Sequence, residues 1–259
     1  MALTDGLTHL FSMEVGGSET NISPTPIAPL SLVLSITEPA IIVGKVGNGR
    51  DFVDKNRTMS DIAFIFPPGV GPTDGTIAAW VRYDSLNGSS FGRREQCILM
   101  TGSAAVDNLI HYVLAADGTT DRMFLRVNPT SQVAVEVQST TFGTLTVGQW
   151  HFVVALFDGT GGTIGISVDN SAVDTVAWDG SIFTSGTPGT VFGIANNFAS
   201  YETLGDMDEV AVWNRVITGA EISQLWNGGA GVDILTAGGG GGGGAGATFI
   251  LAQRRRRRT

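Results

Sequence analysis

The sequence predicts an all-β protein built as a two-sheet antiparallel sandwich. Three observations predict this class: short runs of alternating apolar and polar residues, turn residues between the runs, and a high glycine content. The 259 residues include 36 glycines and nine prolines, and 42% of the chain is hydrophobic. A chain of this length and composition can bury one sizeable core, and many short strands joined by turns are typical of sandwiches.

The first third of the chain has the weakest pattern. Residues 3–14 alternate loosely and are followed by Gly16-Gly17, which predicts a first strand and a turn. The next segment is rich in Ser, Thr and Pro and contains one apolar stretch at 30–36. The glycines between residues 44 and 49 predict a tight turn before a strand at 51–53.

Clear alternation begins at residue 76. Thr76–Tyr83 is predicted as a strand with Trp80 at its centre. Further strands are predicted at 96–100, 109–114, 123–127 and 132–137. In the last of these, Val133, Val135 and Val137 are expected to share the apolar face.

Two later stretches are the most informative. Gly148–Gly159 is almost uninterrupted apolar sequence closed by an Asp-Gly turn, which predicts a buried strand. Residues 164–168 and 173–178 flank the turn Asp169-Asn170 and are predicted to form a hairpin.

The second informative stretch, Gly205–Ile217, is predicted as a strand that leads into one short helix. Thr218 and Glu221 have the spacing of a capping box, in which each side chain accepts from the other residue's backbone N–H. Ile222, Leu225 and Trp226 follow on one helix face, and Gly228-Gly229 is expected to end the helix.

The composition changes abruptly after Ala237. We therefore divide the chain into a β-sandwich body at 1–236 and a flexible glycine-rich tail at 237–259. The tail holds seven consecutive glycines, a short apolar segment and a basic terminus. Its candidate partner-binding residues are Phe249, Ile250, Leu251, Arg254, Arg255, Arg256, Arg257 and Arg258.

The net charge of −9 is unevenly distributed. Five of the 15 basic residues lie in the terminal arginine run, so the rest of the chain carries 10 basic against 24 acidic residues. An acidic body repels nucleic acid, and nucleic acid is expected as a partner only through the arginines. Acidic lipid, an acidic groove on a partner, or no partner at all are the alternatives for this terminus.

Cysteine and histidine usage argues against two kinds of site. Cys97 is the only cysteine, so no intrachain disulfide or cysteine-based zinc site is expected. His9, His111 and His151 lie far apart in predicted strands, and structural roles are expected for each. We expect neither a secretion signal at the N-terminus nor a membrane-spanning segment.

Several of these segments together resemble a known family. The segments are Leu7–Met13, Gly44–Gly49, Thr76–Val81, Gly148–Val154 and Asp206–Ile222. In order and spacing they resemble laminin-G-like, concanavalin-A-like lectin/glucanase domains and the related pentraxin modules. The resemblance implies a jelly-roll sandwich that binds sugars or proteins, and stand-alone versions are familiar among structural proteins of bacterial viruses.

Asp206, Asp208 and Glu209 are the first candidates for catalysis. A retaining glycosidase needs two carboxyl groups about 5–5.5 Å apart. Alternation places Asp206 and Asp208 on one face with Val210 and puts Glu209 on the other, while Glu202 falls in a predicted loop. The expected pair is therefore missing, and we predict a protein that is not an enzyme.

Calcium and a sugar are the remaining candidate ligands. Asp117, Asp121, Asp158 and Asp208 carry oxygens suited to calcium, so no cofactor is predicted but calcium is possible. Asp117 and Asp158 are better explained as turn residues. A sugar-binding rim needs an aromatic ring and amide partners. The residues predicted to supply them are Trp178, Asn196, Asn197 and Tyr201.

From these observations we expect a non-enzymatic structural protein. The preferred hypothesis is a homo-oligomeric subunit that decorates or builds a virion or another extracellular structure, with the tail as tether. The alternatives are a glycan-binding receptor-recognition module and, third, a polysaccharide-cleaving enzyme.

Overall fold

The computed structural model describes most of the body of the protein. The described residues are 2–13, 19–20, 31–34, 39–52, 58–61, 74–86, 95–102, 110–131, 133–182, 189–193 and 204–237. Only the backbone is described at 19–20, 31–34, 58–61, 102, 110–111 and 189–193.

The first sheet has eight strands among these residues. They are β1 (Leu7–Phe11), β4 (Ala40–Val43), β5 (Asn48–Asp51), β7 (Asp74–Tyr83), β12 (Trp150–Asp158), β13 (Thr163–Val168), β14 (Asp174–Ala177) and β16 (Gly205–Trp213). Their order across the sheet is β14-β13-β12-β7-β16-β5-β4, and β1 also pairs with β16. Neighbours in this order are often distant in sequence, which is typical of a jelly roll.

The second sheet also has eight strands in the described part of the chain. They are β2 (Glu19–Thr20), β3 (Ser31–Leu34), β6 (Thr58–Asp61), β8 (Glu95–Gly102), β9 (Ile110–Asp117), β10 (Arg122–Val127), β11 (Val135–Gln138) and β15 (Gly189–Gly193). Their order is β11-β10-β9-β8-β15-β6-β3-β2, and each pairing is antiparallel. The predicted two-sheet antiparallel sandwich is therefore confirmed.

The main core lies between the two sheets. Alternate residues of the central strands supply it, because successive side chains of a strand point to opposite faces. Phe157, Ile166 and Val212 come from the first sheet, and Leu99 and Leu114 come from the second. All five are buried.

The outer face of the first sheet is covered by the chain termini of the body. Helix α1 (Gly219–Trp226) packs Ile222 and Leu225 onto Trp213, and the single turn α2 (Ile234–Ala237) adds Ile234. The capping box of α1 is present as predicted, and Asn227 ends the helix in a left-handed conformation. On the other side, the Trp213 indole donates to the Leu3 carbonyl at 2.7 Å.

A bulge in β16 shifts the alternation that the sequence suggests. The pairing of β16 with β7 is interrupted between Asp208 and Ala211, and Glu209 has a φ of 46°. One extra residue is thereby accommodated, so Val210 joins Met207 in the core between the sheets. The expectation that Val210 shares the face of Asp206 and Asp208 is wrong for this reason.

The predicted valine face at 132–137 is also only partly correct. Strand β11 begins at Val135, and Val137 is buried in the core. Val133 precedes the strand and is 70% exposed. A position outside the ladder is not held to the alternation of the strand.

Two organisational expectations concern the remainder of the chain. The division between body and tail near residue 236 stays a prediction, because residues 238–259 lie outside the described part. Within the described residues, no helix is both long enough and apolar enough to cross a membrane.

The first testable prediction concerns the α1 cap. Hydrogen bonds from Arg215 lower the pKa of Glu221 to about 2, and the Thr218 backbone N–H acts in the same direction. A depressed carboxyl pKa stabilises the fold above pH 4.5, and that contribution is lost as the pH falls from 4.5 toward 2. We expect Glu221→Gln to cost about 2 kcal/mol of unfolding free energy at pH 7 and nothing near pH 2, as measured by urea titration.

A matched control lies on the same helix. Gln224 is exposed, so Gln224→Ala is expected to change the free energy of unfolding by less than about 0.5 kcal/mol. An equal loss in the two variants, or a loss in Glu221→Gln that does not depend on pH, would contradict the assigned role of Glu221.

Candidate functional site

Cross-strand register places four polar or aromatic side chains in one row on the outer face of the first sheet. Trp150 pairs with Arg82, Arg82 with Asp206, and Asp206 with Asp51. Directly paired residues of antiparallel strands share a face, with their Cβ atoms about 5 Å apart. We call Trp150, Arg82, Asp206 and Asp51 the charged row.

The Arg82 guanidinium joins the two halves of the charged row. Its Nε donates to Asp206 Oδ2 at 2.5 Å, and the guanidinium carbon lies 5.3 Å from the centroid of the Trp150 ring. Gly205 precedes Asp206, and a Cβ there would overlap the Arg82 carbonyl oxygen. Glycine therefore permits the close approach of β16 to β7 that sets this geometry.

The electrostatics of the row are dominated by Asp206. Burial raises its pKa to about 6, Arg82 opposes this rise, and the nearby Asp51 and Asp84 add to it. The Asp206 side chain is nearly inaccessible, whereas that of Arg82 is 35% exposed. A carboxyl group with a raised pKa beside an accessible cation is a common feature of functional sites.

A second row lies on the same face, two residues further along each strand. Asp208 pairs with Trp80, and its Oδ2 accepts from the Val46 backbone N–H at 2.7 Å. The Trp80 ring stacks on Trp226 at a centroid distance of 5.3 Å, and Lys45 Nζ lies 4.8 Å from the ring centroid of Trp80. Asp208 thus holds the β4–β5 turn against the sheet, which is a structural role.

The two carboxyl groups singled out for catalysis, Asp206 and Asp208, both have structural partners. Asp206 forms an ion pair with Arg82, and Asp208 is fully buried against the β4–β5 turn. A general acid and a nucleophile must both reach the scissile bond. Glu202 lies outside the described residues, so its suggested pairing with Asp206 stays untested.

His151 and Asp169 form a buried pair that resembles part of a catalytic triad. His151 Nδ1 lies 2.7 Å from Asp169 Oδ2, and His151 Nε2 accepts from the Thr146 backbone N–H at 3.0 Å. This network assigns the proton to Nδ1 and leaves Nε2 without a lone pair for a substrate. Asp169 Oδ1 also accepts from the Phe152 N–H, so the pair fixes strand β12. The structural role predicted for His151 is confirmed.

The four predicted sugar-binding residues are not brought together within the described structure. Trp178 is 4% exposed, packs against Phe157, and donates its indole N–H to the Ser181 carbonyl at 2.8 Å. The expectation of an accessible ring at Trp178 is wrong, because the end of β14 folds it into the core. Asn196, Asn197 and Tyr201 lie outside the described residues.

Of the charged row, only Asp206 is a candidate site residue on the sequence alone. Trp150 lies in the Gly148–Gly159 stretch, which is predicted to be a buried strand, yet it is only partly buried. Arg82 gave a usable signal, because alternation along β7 places it on the same face as Trp80. The local sequence around Asp51 does not indicate that this residue belongs to the row. Its place there depends on the pairing of β5 with β16, which lies more than 150 positions later in the chain.

The aspartates considered for calcium mostly have backbone partners. Asp117 accepts from the Thr119 N–H at 2.8 Å, and Asp158 accepts from the Gly161 N–H at 2.6 Å. The turn interpretation of both residues is confirmed. In the part of the chain with described side chains, no group of three or more His, Cys, Asp or Glu residues is placed to hold a metal ion.

The tail residues predicted to bind partners lie beyond the described structure. Phe249, Ile250 and Leu251 and the arginines at 254–258 therefore keep their status as predictions.

Comparison with known families agrees with the sheet topology. The sequence profile of the concanavalin A-like lectin/glucanases superfamily, in its laminin G form, matches residues 61–223, which is more than half of the chain. The chain belongs to this superfamily. The matched part of this lectin-like domain runs from the end of β6 into α1 and includes Arg82, Trp150 and Asp206.

Solved structures with the same fold include several binding domains. The binding domain of Paraclostridial Mosquitocidal Protein 1 matches with a TM-score of 0.64 and 14% identity, over 87% of this chain and 52% of that one. The ligand-binding domain of botulinum neurotoxin serotype D, in complex with N-acetylneuraminic acid, matches at 0.61 and 10% over 87% and 51%. This lectin-like chain thus spans about half the length of these toxin domains.

A third structure is covered almost completely. Domain 4 of AbnA, an extracellular arabinanase of Geobacillus stearothermophilus solved with arabinotriose, matches with a TM-score of 0.59 and 14% identity. The match covers 84% of this chain and 97% of that one. A search of the curated proteins found no match.

The second testable prediction concerns the buried carboxyl group of the charged row. Because the folded-state pKa of Asp206 exceeds the ordinary value of 3.8, its ionisation opposes folding as the pH rises from about 4 through 6. Asp206→Asn removes this opposition. We expect the stability of the variant relative to the native protein to rise by about 2–3 kcal/mol between pH 4 and pH 7, as measured by denaturant titration at each pH.

Two neighbouring substitutions serve as controls. Asp51 and Asp84 both raise the pKa of Asp206, so Asp51→Asn or Asp84→Asn should move the pH step to lower pH without removing it. A difference between the native protein and Asp206→Asn that stays constant from pH 4 to pH 7 would refute the assignment.

Proposed function

We propose that the protein is a non-catalytic, carbohydrate-binding domain, and that the charged row is its binding surface. The observation that carries this proposal is the partly exposed Arg82 held between the Trp150 ring and the Asp206 carboxylate. Asp51 and the exposed Asp84 add further carboxylate oxygens at the same end of the sheet.

The chemistry of this surface suits a sugar. Aromatic rings pack against the C–H groups of a pyranose or furanose, while fixed charged groups exchange hydrogen bonds with its hydroxyls. The row supplies one partly buried indole ring, a planar donor and carboxylate acceptors. It also needs little reordering, because Arg82 is already held in place by two contacts.

The comparisons support a binding function of this class. Two of the similar folds were solved with a carbohydrate, arabinotriose in one and N-acetylneuraminic acid in the other. Another is the binding domain of a mosquitocidal protein. At 10–14% identity these likenesses establish the fold, and the carbohydrate ligand of this chain is our proposal.

The absence of catalysis is part of the proposal. It is supported by the ion pair that occupies Asp206, by the structural bond of Asp208 and by the closed hydrogen-bond network of His151.

We further propose that the domain carries out this binding as a homo-oligomeric decoration or assembly subunit of a virion or another extracellular structure. The low charged fraction of 15% and the two-part tail are the features that favour this setting. Glycan binding without assembly, as a receptor-recognition module, is the alternative.

The third testable prediction is a binding experiment on an immobilised glycan array. Arg82→Gln and Trp150→Ala should each lower the affinity for any bound glycan at least about tenfold, since each removes a contact of more than about 1.4 kcal/mol. The array is run with calcium and with a chelator, because the acidic side chains of the domain are of the kind that calcium binds.

Arg126 provides the matched control. On the other sheet it pairs with Glu136 and Glu95, and its guanidinium carbon lies 5.0 Å from the Phe124 ring centroid. Arg126→Gln therefore removes the same kind of interaction at a remote place and should leave binding unchanged. Binding that is lost equally in the Arg82 and Arg126 variants, or no binding to any glycan, would count against the proposal.

The assembly setting is tested separately. Electron microscopy and light scattering of the purified full chain should find discrete oligomers at micromolar concentration. A protein that remains monomeric at all accessible concentrations would remove the homo-oligomer from the proposal and leave the glycan-binding surface unaffected.

A further inference from the structure

Strand β4 forms an exposed apolar edge of the first sheet. It pairs with β5 on one side, and among the described strands it is the last in the order of the first sheet. Val43 is 83% exposed and Ile41 is 46% exposed. Such an edge presents unpaired backbone groups together with apolar side chains, and proteins ordinarily cover or charge it.

The edge is firmly placed. Each residue from Ala40 to Val43 has a partner in β5, and Arg50 Nη1 donates to the Pro39 carbonyl at 2.8 Å. At the opposite end, the Asp208 carboxylate holds the β4–β5 turn through the Val46 N–H. A firmly placed strand of four residues is therefore available as a template for one further strand.

We propose that the edge of β4 binds residues Thr248–Ala252 of the same chain as an additional antiparallel strand. In this arrangement Phe249 lies opposite Val43, and Leu251 lies opposite Ile41. The tail segment and the edge both carry apolar residues two positions apart, which is the spacing that places side chains on one face of a strand.

The path of the chain favours the same molecule as the source of this strand. A Cβ on Gly231 would lie 2.7 Å from Val46 Cγ2, so the C-terminal segment passes the β4–β5 turn shortly before α2. From Ala237 to Phe249, a glycine-rich linker has a root-mean-square span of about 20 Å. The edge lies two strands from β16, or about 10 Å, and a short tether gives the segment a millimolar effective concentration.

Charge fixes the direction of the added strand. The tail arrives at the Val43 end of β4, next to the turn, so an antiparallel strand leaves at the Ala40 end. Ala40 pairs with Asp51, and Asp206 is the next partner in the same row. Arg254, two residues beyond Ala252, then meets this acidic end. A parallel strand would instead carry the arginines toward Lys45.

The proposal is tested by disulfide trapping in the full chain. Val43→Cys is combined with Phe249→Cys, and the control combines Phe249→Cys with Val133→Cys, an exposed valine beside the other sheet. Both valines are exposed, so neither substitution opens the core. The native Cys97 is buried, and burial raises the pKa of its thiol far above the usual range, which keeps it unreactive.

The expected result is an intramolecular disulfide that forms at least about tenfold faster in the Val43 pair than in the Val133 pair. Adding Asp51→Lys, or raising the salt to 0.5 M, should slow the Val43 pair several-fold because the arginines lose their attraction. Mass spectrometry of proteolytic peptides identifies the bond, and size exclusion separates monomers from dimers.

Three results would overturn the proposal. Equal rates in the two pairs would mean that the tail has no preference for the edge. Disulfide-linked dimers in place of monomers would assign the edge to the tail of a second copy. A rate that does not respond to Asp51→Lys would remove the antiparallel direction on which the proposal depends.

A second measurement does not rely on new cysteines. Hydrogen exchange at those amides of Ala40–Val43 that point away from β5 should be slow in the full chain and become fast in Phe249→Asp/Leu251→Asp. Thr236→Asp, an exposed position that precedes the tail, is the charge control and should leave the exchange unchanged. Fast exchange already in the native protein would contradict the docking.

Discussion

The structure depends on strand β16, because all nine of its residues are buried and both of its faces are used. One face contributes Met207, Val210 and Val212 to the core between the sheets. The other face contributes Ala211 and Trp213 to the layer under the helix, and Asp206 to the charged row. The bulge at Glu209 separates these two outer regions, because one extra residue resets which side chains face outward.

This change along β16 has an energetic consequence. At the Trp213 end, burial of aromatic and aliphatic side chains stabilises the fold by about 25 cal/mol per Å² of apolar surface. At the Asp206 end, burial raises the pKa of a carboxyl group and works against folding near neutral pH. The buried Asp206 carboxyl group lowers the stability of the fold near neutral pH. Such a cost is common at functional sites, and ligand binding beside Arg82 would account for it here.

The parts of the fold that follow from local sequence were predictable. The Gly148–Gly159 strand, the hairpin around Asp169-Asn170 and the Thr218–Glu221 capping box each rest on neighbouring residues, and each is present. The site was harder to predict, because the charged row joins β12, β7, β16 and β5. Its side chains meet only through pairings between distant parts of the chain. Trp178 could not be placed from sequence for the same reason. It lies at the edge of a predicted loop, but contacts with distant residues such as Phe157 bury it.

Asp51 connects the two surfaces described above. It ends the charged row through its pairing with Asp206, and it also lies beside Ala40 at the exposed edge of the sheet. Coulomb attraction between a carboxylate and a guanidinium at 4 Å is worth about 1 kcal/mol in water and several-fold more where water is partly excluded. An arginine held near Asp51 would therefore offset part of the negative charge that raises the pKa of Asp206. The ionisation of Asp206, the accessibility of Arg82 and the position of the tail would then respond to one another. Of these groups, Arg82 is the one best placed to sense a ligand. It contacts both Trp150 and Asp206, and 35% of its side chain is still exposed to solvent.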